Sequence, residues 1–190
     1  KRCRFSMIKI NTVVERGVND DEILNLVEFS RENCFPIRFI EFMDVGNSNN
    51  WKSNKVVTKE EILDIIHAKY PLRETESSNP SAPSTDYEFK DGGGRIGIIA
   101  SVSEPFCSTC TRARLTADGK LVTCLFSENG FNLKKLLRIG AKDHEIRRFI
   151  EKAWKERKDR YSEDRLEALQ SVDGYQAEAH RKIEMIQLGG

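Results

Sequence analysis

The chain has 190 residues, 31 Lys+Arg against 30 Asp+Glu, and a formal net charge of +1. That length suffices for one ordinary core, and the charge balance argues against a dedicated nucleic-acid binder. No apolar run of about 18 residues exists, so no membrane span is expected.

Met7 to Val14 reads as a buried strand with Lys9 and Asn11 on one face. Asn19-Asp20-Asp21 supplies capping chemistry for a helix with Ile23, Leu24, Leu26, Val27 and Ser30 at helical spacing. Pro36 precedes a second strand, Ile37 to Met43, and strand–helix–strand at this spacing predicts a parallel crossover. Lys9, if buried, would want an anion; otherwise it is an edge lysine. Arg38 and Glu41 have a plain reading as an ion pair, and Met43 as a core filler. Thr58-x-x-Glu61 forms a capping box that opens a helix through His67. Glu74 to Asp86, rich in Ser, Pro, Glu and Thr, reads as a mobile loop. Tyr87–Phe89 and Ile96–Val102 read as strands joined at Gly92-Gly93-Gly94, a hairpin turn rather than a phosphate loop.

The densest chemistry follows. Cys107, Cys110 and Cys124 form C-x2-C-x13-C, with Arg112 and Arg114 at alternate positions after the second cysteine. Three of the five cysteines in so short a span, with no secretory leader, indicate metal or cluster ligation in a reducing compartment, not a disulfide framework. Ala117-Asp118-Gly119 between two strand-like runs predicts a three-residue hairpin loop pairing Thr116 with Lys120. Arg112 then lies opposite Cys124, so Cys110, Arg112, Arg114 and Cys124 share one face; a two-residue loop would turn Cys124 to the other. The guanidiniums suggest a bound anion, phosphate or carboxylate. Spacing alone leaves an iron–sulfur cluster and zinc both open, although His67, His144 and His180 are remote as a fourth zinc ligand. Beyond the hairpin, Leu133–Arg138 reads as a short helix ended by Gly140, and Asp143–Arg157 as an amphipathic helix whose charges form a solvated face. Gly174–His180 reads as irregular, and no internal repeat is present. Cys3 and Cys34 read as small buried apolar residues.

The cysteine–arginine segment with its Ala-Asp-Gly turn and Cys124-Leu125-Phe126 resembles the C-terminal cluster motif of the radical S-adenosylmethionine GTP cyclases of molybdenum-cofactor biosynthesis, the MoaA family. Lys9-Ile10-Asn11, Gly17-Val18-Asn19-Asp20, Arg38 through Met43 and the terminal Gly189-Gly190 fit in order, and the resemblance covers only that family's C-terminal part. It implies an α/β fold, the last strands and helices of an incomplete TIM-like parallel barrel followed by an antiparallel subdomain with the cysteine site. The corresponding segments are 1–70 for the barrel portion, 71–86 for the loop and 87–190 for the cluster and substrate region. It further implies a [4Fe-4S] cluster on Cys107, Cys110 and Cys124, with its open iron on the purine. GTP contacts at Lys9, Arg38, Arg112 and Arg114, an S-adenosylmethionine contact at Met43, and a Gly189-Gly190 tail reaching the active site are implied as well. The family's second [4Fe-4S] cluster belongs to an N-terminal CxxxCxxC motif not found in this sequence, which begins at Lys1 and reads as a piece of a longer protein. A homodimer is implied for the full-length enzyme, in the bacterial cytoplasm or the mitochondrial matrix, with no nucleic-acid or membrane partner. Two other readings stand beside it: a structural zinc-binding interaction module, and a different radical enzyme with an auxiliary cluster.

Overall fold

The computed structural model describes residues 7–76, 79, 81–171 and 174–188. The chain divides into two compact units, one of residues 1–43 and 52–109, the other of residues 44–51 and 110–190.

The first unit is a five-stranded mixed sheet with strand order β1-β2-β5-β4-β3. Strand β1 (Ile10–Val14) leads through helix α1 (Ile23–Asn33) to β2 (Ile37–Glu41), and the two strands pair in parallel from Ile10↔Ile37 to Val14↔Glu41, the expected crossover. Helix α1 is preceded by a single 3-10 turn, Asp20–Glu22. Asn19 braces the approach without capping the helix: its side chain accepts from Glu15 N at 2.8 Å and donates to Val13 O at 2.9 Å. Helix α2 (Lys59–Lys69) opens on the predicted capping box, with Thr58 Oγ1 accepting from Glu61 N and Glu61 Oε2 accepting from Thr58 N.

Strands β3 (Leu72–Glu74), β4 (Thr85–Phe89) and β5 (Arg95–Ile99) complete the sheet, β3–β4 and β4–β5 antiparallel and β2–β5 parallel. The segments 71–86 and 87–190 drawn from sequence therefore cross this sheet. The ends of the predicted loop belong to the sheet, since Leu72–Glu74 and Thr85–Asp86 are paired, and Ser77, Ser78 and Pro80 lie outside the described residues. One sheet face, with Val14, Ile37, Phe39, Tyr87, Phe89, Ile96 and Ile98, packs against Ile23 and Val27 of α1 and Ile62 and Ile66 of α2. The sheet is open; no barrel closes among the described residues.

Glu41 corrects the ion-pair reading. Three positions along a strand place Arg38 and Glu41 on opposite faces. Glu41 is wholly buried, and its carboxylate accepts from Lys59 N (2.8 Å), Val102 N (2.7 Å), Ser103 N (2.8 Å) and Ser103 Oγ (2.5 Å). It thus caps the start of α2 and the turn after β5, which is why that strand stops at Ile99 rather than Val102.

In the second unit β6 (Arg114–Leu115), β7 (Lys120–Val122) and β8 (Phe131–Asn132) form a small antiparallel sheet. Helix α3 (Leu133–Arg138) ends at Gly140, whose positive φ of 73° supports paired terminal bonds, Ala141 N to Leu136 O and Gly140 N to Leu137 O. Helix α4 (Asp143–Lys155) turns Ile146, Phe149 and Ala153 toward Leu121, Leu133 and Leu136. A further helix, α5 (Tyr161–Leu169), was not expected from the sequence. Gly174–His180 is irregular apart from one 3-10 turn at Ala177–Ala179. Cys34 is exposed, not buried: it ends α1 in the left-handed backbone region (φ 55°). Cys3 lies outside the described residues.

Candidate functional site: a cysteine–arginine hairpin and a cationic sheet face

The hairpin has the predicted register. Arg114 pairs with Val122 and Leu115 with Leu121, Thr116 N donates to Lys120 O at 2.9 Å, and Gly119 takes the left-handed position (φ 83°). The strand pairing is shorter than expected, but its alternation continues toward the cysteines. Cys110, Arg112, Arg114 and Thr116 are half-buried or buried, while Thr111, Ala113 and Leu115 are exposed.

Arg112 lays its guanidinium on the neighbouring sulfur, with Nε and Nη2 each 3.3 Å from Cys110 Sγ. Burial works against ionising the Cys110 thiol. Hydrogen bonds from the Arg112 backbone and side chain, with the charges of Arg112 and Arg157, outweigh it and hold its pKa below the usual thiol value. Burial and the like charge of Arg112 lower the pKa of Arg114, opposed by the charges of Cys124 and Cys110. Cys110, Arg112 and Arg114 thus alternate along one side of their segment, and Cys124 lies two residues past the end of β7.

The charged residues of α4 are exposed, as expected of a solvated face, but Arg157, two residues past its end, meets the cysteine segment. Its Nη2 donates to Cys110 O at 2.7 Å, and its guanidinium lies 4.2 Å from the centre of the Trp154 ring. Sequence spacing carried no signal for it, because the contact spans 47 residues.

Cys107 is a half-buried free cysteine in the loop before the hairpin, and Cys124 a half-buried free cysteine after β7. Half-buried thiols, one biased toward thiolate beside an arginine, are the right donor chemistry for a thiolate-held metal group. Among the described residues, however, no group of three or more His, Cys, Asp or Glu side chains is gathered closely enough to hold a metal ion.

Within the first unit, the sheet face away from α1 and α2 carries Asn11, Arg38, Gly97 and Asp86 in one row, since Asn11↔Arg38, Arg38↔Gly97 and Asp86↔Gly97 are register partners. Lys9 stands immediately before β1. It is exposed, so the argument from a buried lysine does not apply. Gly97 makes room on this face: a Cβ there would stand 2.3 Å from Ser84 Oγ, 2.8 Å from Asp86 Oδ1 and 3.1 Å from Arg38 Cγ. Met43 is half-buried, two residues past the end of β2. Gly189 and Gly190 lie outside the described residues. The structure thus places Arg38 in a row with Asn11 and Gly97 on one sheet face, and Arg112 against the Cys110 sulfur on the hairpin; Lys9 immediately precedes β1.

Among the described residues no helix is long and apolar enough to cross a membrane. Residues 35–163 match the family model described as Molybdenum Cofactor Synthesis C. Over 184 residues, 96% of this chain, the sequence is 44% identical to a GTP 3',8-cyclase of Staphylococcus carnosus. Identities to the GTP 3',8-cyclases of Staphylococcus haemolyticus and Staphylococcus aureus are 45% and 43%. In each case the match covers 53% of the relative, so the chain spans about half the length of these relatives. With its α/β sheet and cysteine–arginine hairpin, the chain belongs to the molybdenum cofactor synthesis C family.

Proposed function

We propose that this chain forms the substrate-binding part of a radical S-adenosylmethionine GTP 3',8-cyclase, which converts GTP to (8S)-3',8-cyclo-7,8-dihydroguanosine 5'-triphosphate in molybdenum-cofactor biosynthesis. The observation that carries the proposal is the hairpin, where the Arg112 guanidinium lies 3.3 Å from Cys110 Sγ in a segment that also carries Arg114 and leads to Cys124. In this reading Cys107, Cys110 and Cys124 hold a [4Fe-4S] cluster. When bound, such a cluster with one open iron supplies a Lewis-acidic position for a purine nitrogen or oxygen.

The chain's own residues do the rest of the recognition. Arg112, Arg114 and Arg157 offset the negative charge of clustered thiolates, and Arg112 keeps its hydrogen bonds on the Cys110 sulfur. Lys9, Arg38, Arg112 and Arg114 offer cations to the triphosphate, orienting the nucleotide by charge-assisted hydrogen bonds. Met43 contacts S-adenosylmethionine, and the Gly189-Gly190 tail serves the reaction of the nucleotide. The five-stranded sheet contributes the last strands of a barrel. Radical generation needs a CxxxCxxC cluster that these 190 residues do not contain, so this chain alone recognises GTP without turning it over. The complete enzyme is a homodimer of the bacterial cytoplasm or mitochondrial matrix.

The test is anaerobic reconstitution with iron and sulfide, followed by metal analysis, visible absorption and a GTP titration of the wild type and of Arg112→Ala/Arg114→Ala. About four irons per chain and a GTP-dependent spectral change are expected. The double variant should keep its iron and lose GTP affinity by at least about tenfold, the weakest effect expected from lost charge-assisted hydrogen bonds. Unchanged affinity in that variant, or one colourless zinc per chain with no response to GTP, overturns the assignment; the latter outcome would mean a structural zinc module.

A further inference from the structure

Asp44 is almost fully buried, and one carboxylate gathers partners from three separate segments of the second unit. Its Oδ1 takes the buried Arg165 of α5. Its Oδ2 accepts from Tyr161 at 2.5 Å and from Tyr175, and lies 3.1 Å from Lys182 Nζ. Arg165 and Lys182 are themselves buried, so the site holds two cations against one carboxylate. Aromatic rings face both cations: Arg165 stands 5.4 Å from the centre of Phe126, and Lys182 5.3 Å from that of Tyr161. Removing Asp44 would take the shared carboxylate from two buried cations, which is strongly unfavourable.

The same short segment, 44–51, holds the end of the chain a second time. The Asn47 side chain donates to Lys182 O (2.7 Å) and accepts from Lys182 N (2.8 Å), as a neighbouring strand would. Ile183 N donates to Ser127 O at 3.0 Å, which fastens the tail to the chain just after Cys124. Gly46 lies directly beneath Glu184, where a Cβ would be 2.7 Å from Oε2.

We infer that Asp44 is a positioning residue that clamps the tail, residues 175–188, onto the segment directly following Met43, and so sets where the end of the chain is delivered. The inference rests on the proposed cyclase reading for its effect on turnover, but not for the clamp itself. Asp44 acts through Tyr175 and Lys182, both of which it holds directly. Burial and the neighbouring carboxylate also raise the pKa of both Tyr161 and Tyr175, which gives the clamp an optical signature.

The test is Asp44→Asn. In the chain, hydrogen exchange of amides 175–188 should speed up at least tenfold while the β1–β5 sheet is unchanged, and ultraviolet titration should show two tyrosines ionising at lower pH. In the complete enzyme kcat should fall at least tenfold with KM for GTP unchanged. Lys182→Met, which leaves the Asp44–Arg165 pair, is the second variant should Asp44→Asn fail to fold; it should loosen the tail alone. Unchanged tail exchange in the variant that folds overturns the clamp, and a loosened tail with full kcat overturns the positioning role. Absence of GTP turnover in the complete wild-type enzyme overturns the cyclase reading instead, with the exchange result still deciding the clamp.

Discussion

Glu41 offers the sharpest test of what holds the sheet to its helices. Its carboxylate is the acceptor for three backbone N–H groups, those of Lys59, Val102 and Ser103, in a site with no exposure. Glu41→Ala strands all three, whereas the Ser103 hydroxyl is free to rotate toward another acceptor. At about 1–2 kcal/mol for each stranded donor, near the lower half of the usual range, the loss is about 3–6 kcal/mol. Glu41→Gln keeps one acceptor oxygen but turns an NH2 toward N–H groups, for a loss of about 2–3 kcal/mol. With a urea slope of about 2 kcal/mol/M, the alanine variant should unfold about 1.5–3 M earlier by far-ultraviolet circular dichroism. Glu41→Met separates hydrogen bonding from packing, because it fills the space and supplies no comparable acceptor. If Met restores the midpoint to within about 1 kcal/mol of wild type, the cost is volume and the hydrogen-bond reasoning is refuted.

Thr58→Ala should cost about 1 kcal/mol by removing the acceptor for Glu61 N at the start of α2, read as a lower urea midpoint. Gly97→Ala should cost about 1–3 kcal/mol, because Ser84 and Asp86 must move off the sheet; a melting temperature equal to wild type would show that they move freely. Burial opposes ionisation of Asp44, but Arg165, the two phenols and Lys182 outweigh it and lower its pKa. A depressed carboxyl contributes stability that is present above its unfolded pKa, near 3.9, and is lost as pH falls through the folded value, so acid unfolding should begin at higher pH in a folded Lys182→Met variant. Tyr161 and Tyr175 have the opposite sign: their raised values contribute stability present below an unfolded pKa of about 10 and lost on further alkalinisation, so urea midpoints should fall steadily above that pH.

Features governed by near neighbours along the chain were legible in the sequence. The Ala117-Asp118-Gly119 turn set the register of the cysteine hairpin, because a left-handed Gly119 closes a three-residue loop and side-chain alternation does the rest. The Thr58–Glu61 box and Gly140 marked helix ends for the same local reason. Pairings between distant segments were not legible. Strand β5 sits between β2 and β4, and nothing in a five-residue apolar run says which neighbours it takes. Arg157, Arg165 and Lys182 look like ordinary solvated charges in sequence, yet Cys110, Asp44 and Asn47, which they meet, lie 47, 121 and 135 residues away. Helix α5 escaped notice because Tyr-Ser-Glu-Asp-Arg lacks an apolar stripe; its buried face is built from Ser162 and Arg165 instead.

Two buried carboxylates, Glu41 and Asp44, bracket Met43 in the chain, the residue that the proposed reading assigns to S-adenosylmethionine. Glu41 ends β2 tied to the start of α2 and the turn after β5. Asp44 begins the next segment tied to α5 and the tail. Phe42 and Met43 are the two residues of the chain that lie between these carboxylates. Substitution at Met43 should then change contact with the ligand without disturbing the strand, whereas loss of either carboxylate should act on binding through the backbone. A Met43→Leu variant that keeps the wild-type urea midpoint beside a Glu41→Gln variant that lowers it would separate the two effects in one pair of proteins.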